Sequence, residues 1–267
     1  MSKKLILSSL VALFSEETKM RVLLTLAFCL FCGTAVNAQV ILLEDFEDNT
    51  VNFTSSQALF HDGDSDYFTI TPLNNAADPV DPYTGFIGSN YFAVEDIDDN
   101  NTNSSNGTLF FNVDVSDFED LFVDLSFAAG GNEDPTLSYD SNDGFLVRAS
   151  LDGGAFQNLL AFEAEGTTNQ LLRQDTDFDG TGDGFAPTSA FTAFNNLAIA
   201  GTGTNLLVEV SFDSNDGDSE FAIDQFSING TAIVPEPTSF GIMGILGMCC
   251  AFRRRRTGQV PLILSLL

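Results

Sequence analysis

The stretch Asn205-Leu206-Leu207-Val208-Glu209-Val210-Ser211-Phe212 decides the fold. Leu206, Val208, Val210 and Phe212 fall on one side of an extended chain, and Leu207, Glu209 and Ser211 fall on the other, which is the period of a half-buried β-strand. Outward from it the same texture recurs: short runs rich in Phe, Val, Leu and Ile, separated by clusters of Asp, Asn, Gly and Ser. The pattern predicts strands over 40–46, 67–71, 91–94, 108–113, 121–127, 145–151, 156–162, 205–212 and 221–228, and no helical period between Gln39 and Ile233. Strands of this number and spacing predict an all-β fold, an antiparallel two-sheet sandwich occupying residues 39–232. Tyr139-Asp140-Ser141-Asn142-Asp143-Gly144 is echoed by Phe212-Asp213-Ser214-Asn215-Asp216-Gly217, which reads as two turns of similar chemistry rather than a duplicated domain.

Charge is spread very unevenly around these strands. Eight of the ten Lys and Arg are Lys3, Lys4, Lys19, Arg21, Arg253, Arg254, Arg255 and Arg256, and only Arg148 and Arg173 lie between them. With 35 of the 38 acidic residues in the same interval, residues 39–234 carry a formal charge of −33. That excludes a nucleic-acid-binding surface. Such self-repulsion calls for screening by salt or bound cations, although solubility alone also accounts for an acidic surface. Cys29, Cys32, Cys249 and Cys250 all fall in the apolar terminal segments, so the domain has no disulfide and depends on its hydrophobic core.

From Met20, taken as the true start, a basic Arg21 precedes the apolar run 22–31 and then Val36-Asn37-Ala38 before Gln39. This is the build of a secretory signal covering the region 1–38, with signal peptidase expected to cut between Ala38 and Gln39. A lipoprotein signal fails because Phe28 precedes Cys29 and Phe31 precedes Cys32, where a small residue is needed. At the other end, Val234-Pro235-Glu236-Pro237-Thr238 is followed by an apolar stretch over 239–252 and by Arg253, Arg254, Arg255 and Arg256. The ordered parts of 233–256 resemble the PEP-CTERM sorting signal. That resemblance implies recognition of Pro235, Glu236 and Pro237 by an exosortase, a transmembrane helix, and delivery from the inner membrane to the surface or matrix of a Gram-negative-type bacterium. The two prolines favour an extended segment a protease could grip. Fourteen residues make about 21 Å of helix, short of the roughly 30 Å hydrocarbon core, with snorkelling arginines to cover the difference. An ordinary C-terminal anchor is the alternative, and the short tail 257–267 has no assigned role.

The domain also resembles the jelly-roll modules of secreted bacterial proteins, through Glu44-Asp45-Phe46-Glu47, the run Asp175-Thr176-Asp177-Phe178-Asp179-Gly180-Thr181-Gly182-Asp183-Gly184, and Phe221-Ala222-Ile223-Asp224-Gln225-Phe226. Asp175, Asp177 and Asp179 match positions 1, 3 and 5 of an EF-hand loop and Gly180 matches position 6, but position 12 is Ala186. The spacing therefore predicts a calcium-binding acidic turn, with Asp183 as a fourth ligand, that is not an EF-hand. The other reading is a solvated acidic turn. In jelly-roll carbohydrate-binding modules an early Glu and a late Asp hold a structural calcium, which the resemblance carries to Glu47 and Asp224. The acidic turns Asp62, Asp64, Asp66 and Asp96, Asp98, Asp99 read as hydrated loops.

No enzyme is expected. His61 is the single histidine and the domain has no cysteine, so a Ser-His-Asp site would depend wholly on His61, which reads as a loop residue in the acidic turn His61-Asp62-Gly63-Asp64. No serine has a nucleophile-elbow glycine pattern, and a zinc site lacks ligands. A glycosidase needs only two carboxylates, but neither Glu44-Asp45-Phe46-Glu47 nor Glu95-Asp96-Ile97-Asp98 has the Glu-x-Asp-x-Glu spacing of the sandwich glycosidases. The expected role is a calcium-stabilised structural or adhesion module. The alternative is a module that binds extracellular polysaccharide, although no Trp is present to stack on sugar rings.

Overall fold

The computed structural model describes residues 37–48, 50–61, 66–71, 83–98, 104–130, 139–167, 170–215 and 217–234. The predicted signal segment up to residue 36, the sorting residues Pro235, Glu236, Pro237 and Arg253 to Arg256, and the predicted membrane helix lie outside them. The strands belong to the unit Ala38–Leu267. Among the described residues there is no helix, and so none long and apolar enough to cross a membrane.

Among the described residues thirteen strands form: β1 (Ala38–Glu44), β2 (Thr54–Ser55), β3 (Phe60–His61), β4 (Tyr67–Ile70), β5 (Phe92–Glu95), β6 (Asn106–Asp114), β7 (Phe118–Ala129), β8 (Gly144–Leu151), β9 (Gln157–Ala164), β10 (Leu172–Gln174), β11 (Thr192–Ala198), β12 (Asn205–Asp213) and β13 (Phe221–Ala232). The first sheet has the order β11-β7-β13-β5-β4-β3, with β1 also paired to β13, and the second has the order β10-β9-β8-β12-β6-β2. Every ladder between named strands is antiparallel.

The alternation in β12 does what its sequence predicts. Leu206, Val208, Val210 and Phe212 are fully buried between the sheets, and Glu209 on the opposite side meets Arg148 of β8 at 2.7 Å. Phenylalanine rings then join the two sheets. Phe111 of β6 stacks on Phe226 of β13 at 3.8 Å, and Phe127 of β7 stacks on Phe145 and Phe162 of the second sheet at 4.2 and 4.6 Å. Burying each such ring stabilises the fold by about 1.5–3 kcal/mol relative to exposure. A smaller cluster covers the other face of the first sheet. Ala93, Ala222 and Ala128 stand in register across β5, β13 and β7, and their small side chains leave room for Tyr83, Tyr91, Phe86 and Phe191.

All nine predicted strands form, with shifted ends, and four more join them. One correction follows. His61 is not in a loop: it pairs with Tyr67 across β3 and β4 and stacks on its ring at 6.2 Å. The echoed turns stand side by side because Asp213 pairs with Gly144. The Asp143 carboxylate clips them together, its Oδ2 accepting from Asp140 N and Ser219 Oγ, each at 2.8 Å.

Candidate metal-binding loop

The loop over 175–184 folds back on the pair β9/β10. Asp175 N donates to Ala161 O at 3.0 Å, while Asp183 N and Gly184 N both donate to Gln174 O, at 3.0 and 2.7 Å. Gly182 lies so close that a Cβ would collide with the Glu163 carbonyl oxygen and stand 2.7 Å from that of Arg173. Phe178 and Gly180 both adopt positive φ, 60° and 87°. Asp175 is buried inside the turn, its two oxygens accepting from Asp179 N at 3.3 Å and Gly180 N at 2.8 Å. Carboxylate oxygens of Asp175, Asp177 and Asp179 come within 4.8 Å of one another. The Asp179 charge beside it is the main cause that raises the Asp177 carboxyl above its usual range. Three negative oxygens held this close on a glycine-fixed loop form the oxygen-rich setting a hard cation takes.

Asp183, the fourth predicted ligand, is not part of this convergence. Its Oδ1 accepts from Thr176 N at 3.1 Å and Thr176 Oγ1 at 2.8 Å, and those bonds hold its carboxyl below the usual range. Instead the fold brings up Glu163 of β9, half-buried and pushed up to about 7 by burial, then by the charges of Asp175 and Asp213. Glu163 was not predicted. Its side of β9 is legible from the alternation over 160–164, but its nearness to Asp175 depends on the β9/β10 pairing, which the three-residue β10 conceals.

Glu47 and Asp224, far apart in sequence, converge on one turn. Glu47 Oε1 accepts from Ser89 N and Asn90 N at 2.7 Å each, and Asp224 Oδ2 accepts from Ile87 N at 2.8 Å. Burial raises the Asp224 carboxyl, and Glu47 adds to the effect. Gly88 has φ 96° and a Cβ there would strike the Glu47 carboxylate. Of the neighbouring acids, Glu44 is a structural clamp, accepting from Phe46 N at 3.0 Å and Asn52 N at 2.6 Å. Asp62, Asp64 and Asp99 lie outside the described residues, and Asp66 is buried rather than hydrated. Ala38 and Gln39, the predicted cleavage pair, are exposed at the start of β1.

The outward face of the second sheet is mixed. Half-buried Phe110, Leu146 and Leu207 surround the Arg148–Glu209 pair, Arg148 lies 4.3 Å over the Phe156 ring, and Thr108 and Ser211 share a hydrogen bond at 3.0 Å. His61 Nε2 is buried and meets no hydrogen-bond partner among the described residues.

No protein-family model matches the chain, and no curated protein matches it. Solved structures do. The CBM22-1 xylan-binding domain from Paenibacillus barcinonensis Xyn10C matches with a TM-score of 0.39 at 11% identity, covering 75% of this chain and 100% of that one. TmCBM61 in complex with beta-1,4-galactotriose matches at 0.31 and 10% identity, covering 60% and 79%. The mannan-recognising module TmCBM27 matches at 0.28 and 13% identity, covering 73% and 99%. Scores of this size identify neither a family nor a ligand for this chain.

Proposed function

We propose that this chain is an exported surface protein whose ectodomain is a jelly-roll-like sandwich stabilised by calcium, serving a structural or adhesive role after exosortase sorting through Pro235, Glu236 and Pro237. The observation that carries the calcium reading is the convergence of Asp175, Asp177 and Asp179 on a loop packed closely against β9 and β10 at Gly182. Glu47 and Asp224, gathered on the 87–90 turn, are a second and weaker position for the same ion. Extracellular modules bind calcium at about 10⁻⁴ to 10⁻³ M, and ten to a hundred times that concentration adds about 1.4–2.7 kcal/mol. Calcium should therefore raise the melting temperature well beyond sodium chloride of equal ionic strength, and Asp177→Asn with Asp179→Asn should remove most of the difference. Equal effects of the two salts would reduce the loop to a solvated turn.

A second reading is polysaccharide binding by the outward face of the second sheet. Its support is the mixture of apolar side chains with the Arg148–Glu209 pair and the Thr108–Ser211 hydroxyls. A glycan array with the full chain decides it.

A further inference from the structure

The turn that leads into β8 and the chain that leaves β12 meet at one end of the sandwich, and the carboxylate of Asp143 is the contact between them. Asp143 is 2% exposed. Its Oδ2 accepts from Asp140 N of its own turn and from Ser219 Oγ, each at 2.8 Å, while its Oδ1 accepts from Asn215 N at 3.4 Å. The chain it grips is tied to both sheets. Ser214 N donates to Ser105 O, before β6, at 2.9 Å, and the Ser214 carbonyl accepts from Ile97 N, after β5, at 3.2 Å. Ser214 Oγ accepts from Asp96 N at 2.9 Å and donates to Ser219 O at 2.8 Å. Asp143 therefore fastens the 139–143 turn to a fixed support.

Among the described residues no cation balances this carboxylate. Its three partners are neutral donors, and the ionisable groups around it are Asp140 in its own turn, Glu220 beside Ser219, and the Tyr139 phenol, which lies in the fields of Glu220, Asp143 and Glu95. The two arginines of the domain are bonded to Glu209 and Glu165, and His61 stacks on Tyr67 of the first sheet. A buried anion held only by neutral donors is costly. The protonated acid has no charge to desolvate, and it can donate to the Ser219 hydroxyl from which the carboxylate accepts. Burial outweighs the three hydrogen bonds and pushes the carboxyl up to about 6.

We propose that Asp143 is a proton-operated latch: protonated, it holds the 139–143 turn against Asn215 and Ser219, and ionised, it lets that turn open to water while the sandwich stays folded. Opening returns the carboxyl to its ordinary range, so the closed form is favoured below about pH 6 and loses ground as pH rises through that value. The latch stands whether or not the 175–179 loop binds calcium.

Amide hydrogen exchange, read by NMR on the full chain in detergent with calcium chelated and corrected for intrinsic exchange, tests it. The amides of Asp140 and Asn215 report the latch, and Val208, in the middle of β12 with ladders on both sides, reports unfolding of the sandwich. From pH 5 to pH 7.5 the protection of Asp140 and Asn215 should fall by on the order of tenfold. It should also be lower than that of Val208 and unchanged by urea below the unfolding transition, which marks a local opening. Asp143→Asn, which cannot ionise, should make the protection of both amides independent of pH. Protection that does not change with pH in the unsubstituted chain overturns the proposal, as does a pH response that survives Asp143→Asn. Exchange at Asp140 and Asn215 that matches Val208 and rises with urea as Val208 does also overturns it, because the turn then opens only when the whole sandwich unfolds. Should Asp143→Asn fail to fold, the pH and urea responses of the unsubstituted chain decide.

Discussion

Burial pushes the Asp143 carboxyl up to about 6, so at neutral pH the folded protein holds a charge that the unfolded chain holds at less cost. Because this folded value lies above the unfolded one, its stabilising contribution is complete below about pH 4 and is lost as pH rises through about 6. Burial acts in the same direction on Glu163 and Asp213. With calcium chelated, stability measured by urea denaturation should therefore rise from pH 7 to pH 5, and Asp143→Asn should flatten that slope. Gly182 is tested by stability as well. A Cβ at Gly182 meets the backbone of β9 and β10 rather than a side chain that could swing away, so Gly182→Ala should destabilise by about 1–3 kcal/mol and blunt the calcium response. At this scale the sequence shows Asp175, Asp177 and Asp179 as a convergent set, because alternate residues in a tight acidic turn are neighbours by local geometry. It does not show that Asp183 accepts from Thr176, which depends on how the loop closes on itself, or that Glu163 stands beside Asp175, which depends on the pairing of β9 with β10.

Strands were legible where both of their faces had a distinct task. In β12 one face is entirely apolar, and its position between β8 and β6 follows from that. The strand β11 carries the opposite lesson: its pairing with β7 shifts between Phe194 and Leu197, Asn196 sits at φ 59°, and the bulge breaks the alternation that would have announced it. The two- and three-residue strands β2, β3 and β10 are too short to show any period. Elements also differ in what they hold together. Phe127 on β7 touches rings from both neighbouring strands of the second sheet and Phe221 of its own, so Phe127→Ala should cost about 3–5 kcal/mol in chemical denaturation. Phe156, exposed outside the core, should cost within about 0.5 kcal/mol on the same measurement, apart from its contact with Arg148.

For the molecule as a whole, the acidic domain and its two flanking segments make a single proposal about delivery. Mass spectrometry of the surface-displayed protein should find Gln39 at one end and no residue beyond the Pro235-Glu236-Pro237 region at the other. Glu236→Ala should leave a longer form in the inner membrane, and unaltered display would reduce the tail to an anchor. The sandwich both starts and finishes on one ladder, because Ala38 at the head of β1 is paired with Thr231 near the foot of β13. That pairing has a mechanical meaning. Tension applied between the two chain ends pulls adjacent strand termini apart, so it loads the β1/β13 hydrogen bonds one at a time from that end, like a zipper. The domain should yield to such a pull at low force, while a load applied across the far loops has to shear whole ladders at once.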